Sequence, residues 1–311
     1  MSDKIDIIKN VLGSGYHSGG ETLFFCPKCK HHKKKLSVNL EKNKFKCWVC
    51  DYRGNNLRRL VRRFGSFMDQ QAWAKIDNTI EISSFEDVFS TEQEAEENVE
   101  QSIALPEEFK SLCSSSLSLT TKPILRFLYE RGLTKTDILK WKIGYCPSGE
   151  YKNRIIIPSF NEDGDVSYFI ARTYGNDWMK YKNPPAHRNI VFNELYVDYE
   201  DDLVIVEGAF DAIVAGNAVP ILGSSLRDDA KLFQKIVEHD TPVYIALDPD
   251  VETKAMKLIK KMLTFDIEVY KIDIMPYGDV GEMTKTEFQK RKSEAQLMTP
   301  DTFLERAIHS I

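Results

Sequence analysis

Two short apolar runs that each end on carboxylates constrain this chain more than any other feature. Leu203-Val-Ile-Val206 stops at Glu207-Gly208, and Val243-Tyr-Ile-Ala-Leu247 stops at Asp248-Pro-Asp250. Runs of this length, rich in β-branched residues and followed by helical patterns, are how buried parallel strands of an α/β sheet look in sequence. Ligands of such sheets bind just beyond the carboxyl ends of the strands. Neighbouring strands that both deliver carboxylates there make an all-oxygen site, the donor set suited to Mg²⁺ or Mn²⁺. The pattern therefore implies metal-assisted phosphoryl chemistry. Taken singly, Glu207 reads equally well as a helix cap and Asp248/Asp250 as a turn with an N-cap.

Charge along the chain is uneven. Residues 1–75 hold 16 Lys+Arg against 6 Asp+Glu, a net of +10, which leaves −15 on the remainder of the 311 residues. A basic head on an acidic body points to a polyanionic partner, with an unevenly charged solvated surface as the alternative. Residues 77–108 contain no Lys or Arg. The interval 76–104 thus reads as a self-repelling acidic linker. No apolar stretch approaches a membrane span and the start Met1-Ser-Asp-Lys-Ile-Asp has no signal-peptide core, so a cytoplasmic protein with no membrane partner is expected.

The head carries Cys26-Pro-Lys-Cys29 and Cys47-Trp-Val-Cys50, with seventeen residues between the pairs. That spacing fits zinc, since each C-x-x-C knuckle offers two thiolates and four close a tetrahedral shell. With no open position the metal is structural. Between the knuckles, Leu36–Leu40 and Lys44–Lys46 read as ribbon strands. Lys30, Lys33, Lys34, Lys35, Lys42, Lys44 and Lys46 interleave there with Phe45 and Trp48. Lysines can neutralise phosphates while aromatic faces stack on bases. For Phe45 the competing reading, a ring packed in the ribbon core, is the stronger. Cys113 and Cys146 read as packed thiols.

Beyond the linker, order is expected to resume near Leu105-Pro106 with a helix start. Pro123–Arg131 has helical spacing closed by Gly132, and Thr134–Trp141 forms a second helix. Arg154–Pro158 and Val166–Thr173 read as strands of a hairpin turned at Asn161-Glu-Asp-Gly164. From Leu203 the pattern is β-α-β-α, and after Thr284 it is polar. The expected architecture is a multi-domain α/β chain. It comprises a zinc ribbon over 1–75, the linker over 76–104, a basic α+β subdomain over 105–198, a parallel α/β sheet over 199–285 and a tail over 286–311. Arg154, Arg172 and Lys180 lie in or just after the hairpin, as clamps for phosphates or as ordinary surface charge.

Three ordered segments resemble the DnaG-type primases and their phage relatives. Cys26-Pro-Lys-Cys29 through Cys47-Trp-Val-Cys50-Asp-Tyr-Arg-Gly-Asn-Asn56 resembles their zinc-binding domain, in the all-cysteine form of phage enzymes. Arg131-Gly-Leu, Ile143-Gly-Tyr, Arg154-Ile-Ile-Ile-Pro158, Ala171-Arg172 and Lys180-Tyr-Lys-Asn183 resemble the basic RNA-polymerase subdomain. Glu207-Gly-Ala-Phe-Asp211, Leu222-Gly-Ser-Ser225 and Asp248-Pro-Asp250 resemble the Toprim fold. The resemblance implies that Glu207, Asp248 and Asp250 hold catalytic Mg²⁺ (or Mn²⁺), with Asp211 and Asp279 as secondary acidic residues. It implies that Arg154, Arg172, Lys180 and Asn183 contact nucleotide or template. Lys182 departs from the apolar residue usual in its motif and is left aside.

The implied activity is synthesis of short RNA primers on single-stranded DNA from ribonucleoside triphosphates, in a host cell's cytoplasm if the chain is phage-encoded. One rival is a Toprim nuclease or a topoisomerase-like protein, although a topoisomerase needs a large gate for which there is little room. The other is a non-catalytic zinc-ribbon protein that binds single strands in repair and recombination. No G-x-x-x-x-G-K-[ST] occurs, so a replicative helicase on a separate chain is the expected partner, docked by the tail from about Glu287.

Overall fold

The computed structural model describes residues 2–76, 103–114, 117–186, 189–222 and 230–309, in two compact units, Met1–Glu94 and Ala95–Ile311. The expected acidic linker lies almost wholly outside the described residues, as does Gly223-Ser-Ser225. No described helix is long and apolar enough to cross a membrane.

In the first unit, α1 (Ser2–Leu12) leads into a sheet of β1 (Tyr16–Ser18), β2 (Glu21–Phe24), β3 (Leu36–Asn39), β4 (Lys44–Cys47) and β5 (Arg53–Gly54). Each strand pairs antiparallel with the next. Helices α2 (Arg58–Phe64) and α3 (Phe67–Ile76) follow. Ile8, Phe24, Leu36, Leu57, Leu60 and Trp73 are buried together. Each such side chain contributes about 1.5–3 kcal/mol, so this small core is of the size that usually needs a staple. Phe45 is 3% exposed and packs 5.0 Å from the Tyr52 ring. Its ring belongs to the core, while Trp48 is 65% exposed.

The second unit begins differently from expectation. In place of a helix start at Leu105-Pro106, residues 103–109 run along a sheet, with Ile103 N donating to Val166 O at 3.1 Å. Ile103, Leu105 and Phe109 pack on Tyr151, Ile156 and Phe169, an apolar demand that outweighs local helix preference. There β6 (Lys110–Ser111) forms the edge of a four-stranded antiparallel sheet with β7 (Gly144–Cys146), β8 (Arg154–Phe160) and β9 (Val166–Thr173). Helix α4 (Lys122–Glu130) is closed by Gly132 at φ +75°. A capping box in which Thr134 and Asp137 bond each other's backbone starts α5 (Lys135–Lys140). The hairpin register pairs Arg154 with Thr173 and Pro158 with Phe169.

The remaining elements are β10 (Leu203–Val206), α6 (Ala209–Ala215), β11 (Ala218–Pro220), α7 (Lys231–His239), β12 (Val243–Ile245), α8 (Glu252–Thr264), β13 (Val269–Lys271), α9 (Lys285–Ser293), β14 (Gln296–Met298) and α10 (Pro300–His309). They build a sheet of order β11-β10-β12-β13-β14, parallel except for β14. All four residues of β10 are buried, as in a parallel strand covered on both faces. Of residues 286–311, expected as a tail, the described part up to His309 is built into this unit: Met298 pairs with Val269 and Phe288 is fully buried. A few apolar anchors in a polar segment suffice, because the sheet edge supplies the backbone bonds. Both sheets of the unit share one apolar core, running from Leu112 to Met298.

Candidate active site and zinc centre

Local backbone geometry brings the four cysteines together. Cys26 and Cys29 lie between β2 and β3, Cys47 ends β4, and Lys30 and Asp51 take positive φ so that each knuckle turns back. Sγ of Cys26 is 3.8 Å from that of Cys50, and Sγ of Cys29 is 3.8 Å from that of Cys47. All four sulfurs lie within 4.8 Å of one another, the one such group of potential ligands among the described residues. Burial pushes the Cys26 thiol up to about 12, so four thiolates at this spacing need the charge of a dication. Thiolates at tetrahedral spacing fit zinc, and the shell is complete. On the surface around it, Lys46 Nζ sits 5.1 Å from the Trp48 ring and Lys34 Nζ 5.3 Å from the Phe25 ring.

The acidic centre of the second unit is arranged on the opposite principle. β10 and β12 are hydrogen-bonded neighbours, with Leu203 opposite Val243 and Ile205 opposite Ile245. Glu207 and Asp248 therefore leave the same edge of the sheet. Asp250 follows in the one-turn helix Pro249–Val251 and is exposed. Asp279 immediately precedes the turn Val280–Glu282 and makes no side-chain capping bond to it. Glu207 Oε1, Asp248 Oδ1 and Asp279 Oδ1 are buried and, among the described residues, accept no hydrogen bond. Buried carboxylate oxygens without donors are costly, and a hard cation satisfies them. The residues thus fit a divalent metal with oxygen ligands.

Electrostatics reports the same crowding. Burial, then the charges of Glu207, Asp211, Asp279 and Asp250, push Asp248 up to about 7. Burial raises Glu207 too, with Lys254 pulling it down and Asp250 pushing it up. Asp211 is raised to about 6 by burial and then by the charge of Asp279. Its role differs from that of the others, because both oxygens are already engaged. Oδ2 accepts from Gly208 N at 2.8 Å and Oδ1 from Gly281 N at 2.9 Å. Asp211 thereby ties the turn after Glu207 to the turn after Asp279. A Cβ on Gly281 would lie 2.9 Å from Asp211 Oδ1 and 3.2 Å from Asp279 Oδ1, so this close approach requires glycine.

The basic residues divide into two groups. Arg172 is buried, donates to Tyr181 Oη, and holds its guanidinium 5.6 Å from the Phe127 ring and 5.3 Å from the Phe210 ring. Arg131 approaches the same two rings, at 5.1 and 5.0 Å. Burial and then the charge of Arg172 hold Arg131 below the usual arginine range, while Asp279 and Asp211 pull the other way. These two arginines and the acidic centre form one electrostatic neighbourhood. Arg154 faces elsewhere: its guanidinium is buried and donates to Asp177 Oδ2 at 2.7 Å. Asn183 Oδ1 accepts from Ala171 N at 3.3 Å, holding the segment after β9 in place. Lys180 is exposed.

Three residues of this neighbourhood escape a reading by motif. Arg131 stands in a quoted motif without a role, Gly281 reveals its need only through the Cβ clash, and Lys254 lies four residues beyond Asp250 on α8. The i, i+4 offset is the one signal that could have found Lys254.

A four-cysteine zinc ribbon on one unit, and on the other an antiparallel basic sheet joined to a parallel sheet with acidic strand ends, define the class. The fold is that of the zinc-binding and RNA-polymerase domains of DnaG-type primases. The Aquifex aeolicus primase structure comprising those two domains has a TM-score of 0.50 at 19% identity, covering 95% of this chain and 84% of that one. The structure of a DnaG primase catalytic domain bound to ssDNA has a TM-score of 0.53 at 20% identity, covering 62% of this chain and 77% of that one. No family model matches the chain. Curated relatives are DNA primases. That of Clostridium acetobutylicum is 23% identical over 326 residues, 88% of this chain and 53% of its own length. That of Thermotoga maritima is 24% identical over 210 residues, 52% of this chain and 37% of its own length. The chain spans about half the length, or less, of the curated relatives it matches. The chain is thus similar in sequence to DNA primases and shares the fold of the zinc-binding and RNA-polymerase domains of the DnaG type.

Proposed function

We propose that the chain is a DNA-directed RNA primase, building short RNA on single-stranded DNA from ribonucleoside triphosphates in the cytoplasm. The observation that carries this reading is the trio of buried carboxylate oxygens, on Glu207 and Asp248 at the strand ends and on Asp279 before the Val280–Glu282 turn, that accept no hydrogen bond among the described residues. In the reaction a 3′-hydroxyl attacks the α-phosphate of the incoming nucleotide, its proton is lost, and pyrophosphate leaves. Glu207, Asp248 and Asp250 would hold Mg²⁺ or Mn²⁺, with Asp279 beside them. The metal would supply Lewis-acid activation of the phosphate and of the attacking hydroxyl. Asp211 positions both acidic turns through Gly208 and Gly281. Arg131 and Arg172, fixed by their aromatic rings, offer preorganised positive charge for the triphosphate or strand backbone. Lys180 adds an exposed cation on the approach, while Arg154 and Asn183 shape the loop that carries it.

The zinc unit, basic and faced with Trp48, would select the start site on the template. A replicative helicase on a separate chain is the proposed partner. Because β14 completes the sheet, its docking is tested by a surface change such as Leu304→Glu rather than by truncation. Undiminished helicase stimulation in that variant would move the docking surface elsewhere.

The deciding experiment supplies single-stranded DNA, Mg²⁺ and labelled ribonucleotides to wild type and Asp248→Ala. Short RNA from the wild type alone is expected. Strand cleavage without synthesis would replace the primase by a nuclease.

A further inference from the structure

Trp178 is 89% exposed, more than any other large apolar side chain among the described residues. Single exposed apolar residues are common on protein surfaces, so exposure alone says little. What sets Trp178 apart is the rigidity of its mount.

The chain after β9 folds back on it as the return arm of a hairpin. Arg172 bridges Tyr181 in antiparallel fashion, Thr173 N donates to Lys180 O at 3.1 Å, and Lys182 N donates to Ala171 O at 2.9 Å. Within the tip, Gly175 N donates to Thr173 Oγ1 at 3.2 Å. Asp177 is held twice: Oδ1 accepts from Met179 N at 3.0 Å and Oδ2 from the buried Arg154 at 2.7 Å. Trp178 lies between those two fixed residues, so its backbone is set while its indole stays in water. An indole in water contributes nothing to folding through burial. A pinned loop that displays one is built for something that arrives from outside.

The neighbours indicate what arrives. Exposed Lys180 follows two residues on, and Tyr181 is 40% exposed with the Arg172 guanidinium 5.0 Å from its ring. Arg172 in turn lies 5.3 Å from the ring of Phe210, the residue before Asp211. The exposed face of this arm thus alternates rings with a cation, in Trp178, Lys180 and Tyr181, with Lys180 Nζ 5.9 Å from the Tyr181 ring, while the buried Arg172 and Phe210 connect it beneath the surface to the acidic strand ends. Such alternation suits an unpaired nucleic-acid strand, whose bases stack on rings while its phosphates meet cations. A protein-binding patch would instead show contiguous apolar surface.

We propose that Trp178 is a stacking platform for an unpaired base of the nucleic-acid strand that runs along this hairpin towards the acidic centre. Naming that strand as single-stranded DNA template rests on the primase reading; the stacking itself does not. The test measures binding of fluorescein-labelled oligo(dT) to the full chain by anisotropy, for wild type, Trp178→Ala and Trp178→Phe, over a range of salt. Trp178→Ala is expected to bind about tenfold or more weakly, with Trp178→Phe retaining most of the affinity. The slope of affinity against salt should not change, because stacking releases no counterions. Thermal melting of both variants should match wild type.

Unchanged affinity in Trp178→Ala overturns the proposal, as does an altered salt slope or an equal loss in Trp178→Phe. Undiminished DNA binding with loss of contact to a second protein also overturns it, and assigns the indole to a protein interface. RNA synthesis by wild type alongside unchanged Trp178→Ala binding removes the platform and leaves the primase reading intact. No RNA synthesis alongside the tenfold loss keeps the platform and removes the polymerase.

Discussion

The zinc centre and the acidic centre stand in opposite relations to folding. Four sulfurs within 4.8 Å hold together a unit whose own core is small, so the metal there supplies folding free energy outright. Around Glu207, Asp248 and Asp279, buried oxygens that accept no hydrogen bond among the described residues sit on a sheet stabilised by a long apolar core. That second centre weakens the fold that carries it, and clusters of raised carboxylates mark functional sites for this reason. One site is a staple and the other is a load.

The largest effect is expected in the first unit. Cys47→Ser opens the shell and should abolish stoichiometric zinc binding. Because structural zinc in small domains is worth about 10–16 kcal/mol, the first unit should lose its cooperative melting while the second keeps its own. Element analysis and calorimetry read both. Initiation on single-stranded template should fail in parallel, and full priming by Cys47→Ser would remove the template-selecting role of the zinc unit. A variant that lost zinc yet still melted cooperatively in both units would break the comparison itself.

Next in size is the bracket that shapes the acidic centre. Gly281→Ala forces a methyl group against Asp211 Oδ1, displacing the Gly281 N–H that bonds it. Leaving a buried carboxylate short of a donor costs about 1–3 kcal/mol. Asp279 moves with the same turn, so nucleotidyl transfer should fall by at least tenfold while zinc content is unaffected. Near-wild-type activity in Gly281→Ala would show that the position of Asp279 is immaterial.

How much of this was legible beforehand follows the same divide. The cysteine spacing and the strand-end carboxylates could be read because each is a local pattern with a chemical requirement attached. The β8–β9 hairpin and the α4–α5 pair were likewise set by their own turns and caps, Gly132 and Thr134 among them. Long-range contacts were not legible. Nothing local distinguishes Arg154, which turns to Asp177, from Arg172, which joins the Phe127 and Phe210 rings beside the acidic centre. Likewise, residues 286–311 look like a polar tail until the β13 edge gives Met298 a partner, and Ile103 to Phe109 follow the sheet because Phe169 and Tyr151 await them. Asp211 was expected as a secondary acidic residue of the site, and nothing local showed that its oxygens are engaged by two backbone donors.

The smallest effect has the most diagnostic sign. Asp248 is raised from an ordinary 3.8 to about 7, so between about pH 4 and pH 7 the folded chain keeps a proton that the unfolded chain has released. Without divalent metal, stability should therefore fall as pH rises through that window, with the full deficit present above about 7. Asp248→Asn removes the charge and should melt higher than wild type at pH 8. After allowance for solvent screening, the gain is on the order of 1–2 kcal/mol, a few degrees in Tm for a unit of this size. The two proteins should converge well below the unfolded value of 3.8, where the wild-type carboxyl is protonated in both states. Mg²⁺ should reverse the order at pH 8, since it binds the folded wild type and stabilises it by mass action, while Asp248→Asn offers a poorer ligand. Zinc-site variants should never show that inversion, because removing a staple cannot raise the melting temperature. If Asp248→Asn melted lower than wild type at pH 8 without metal, the carboxylate would be contributing to the fold, and the distinction between the two centres would be lost.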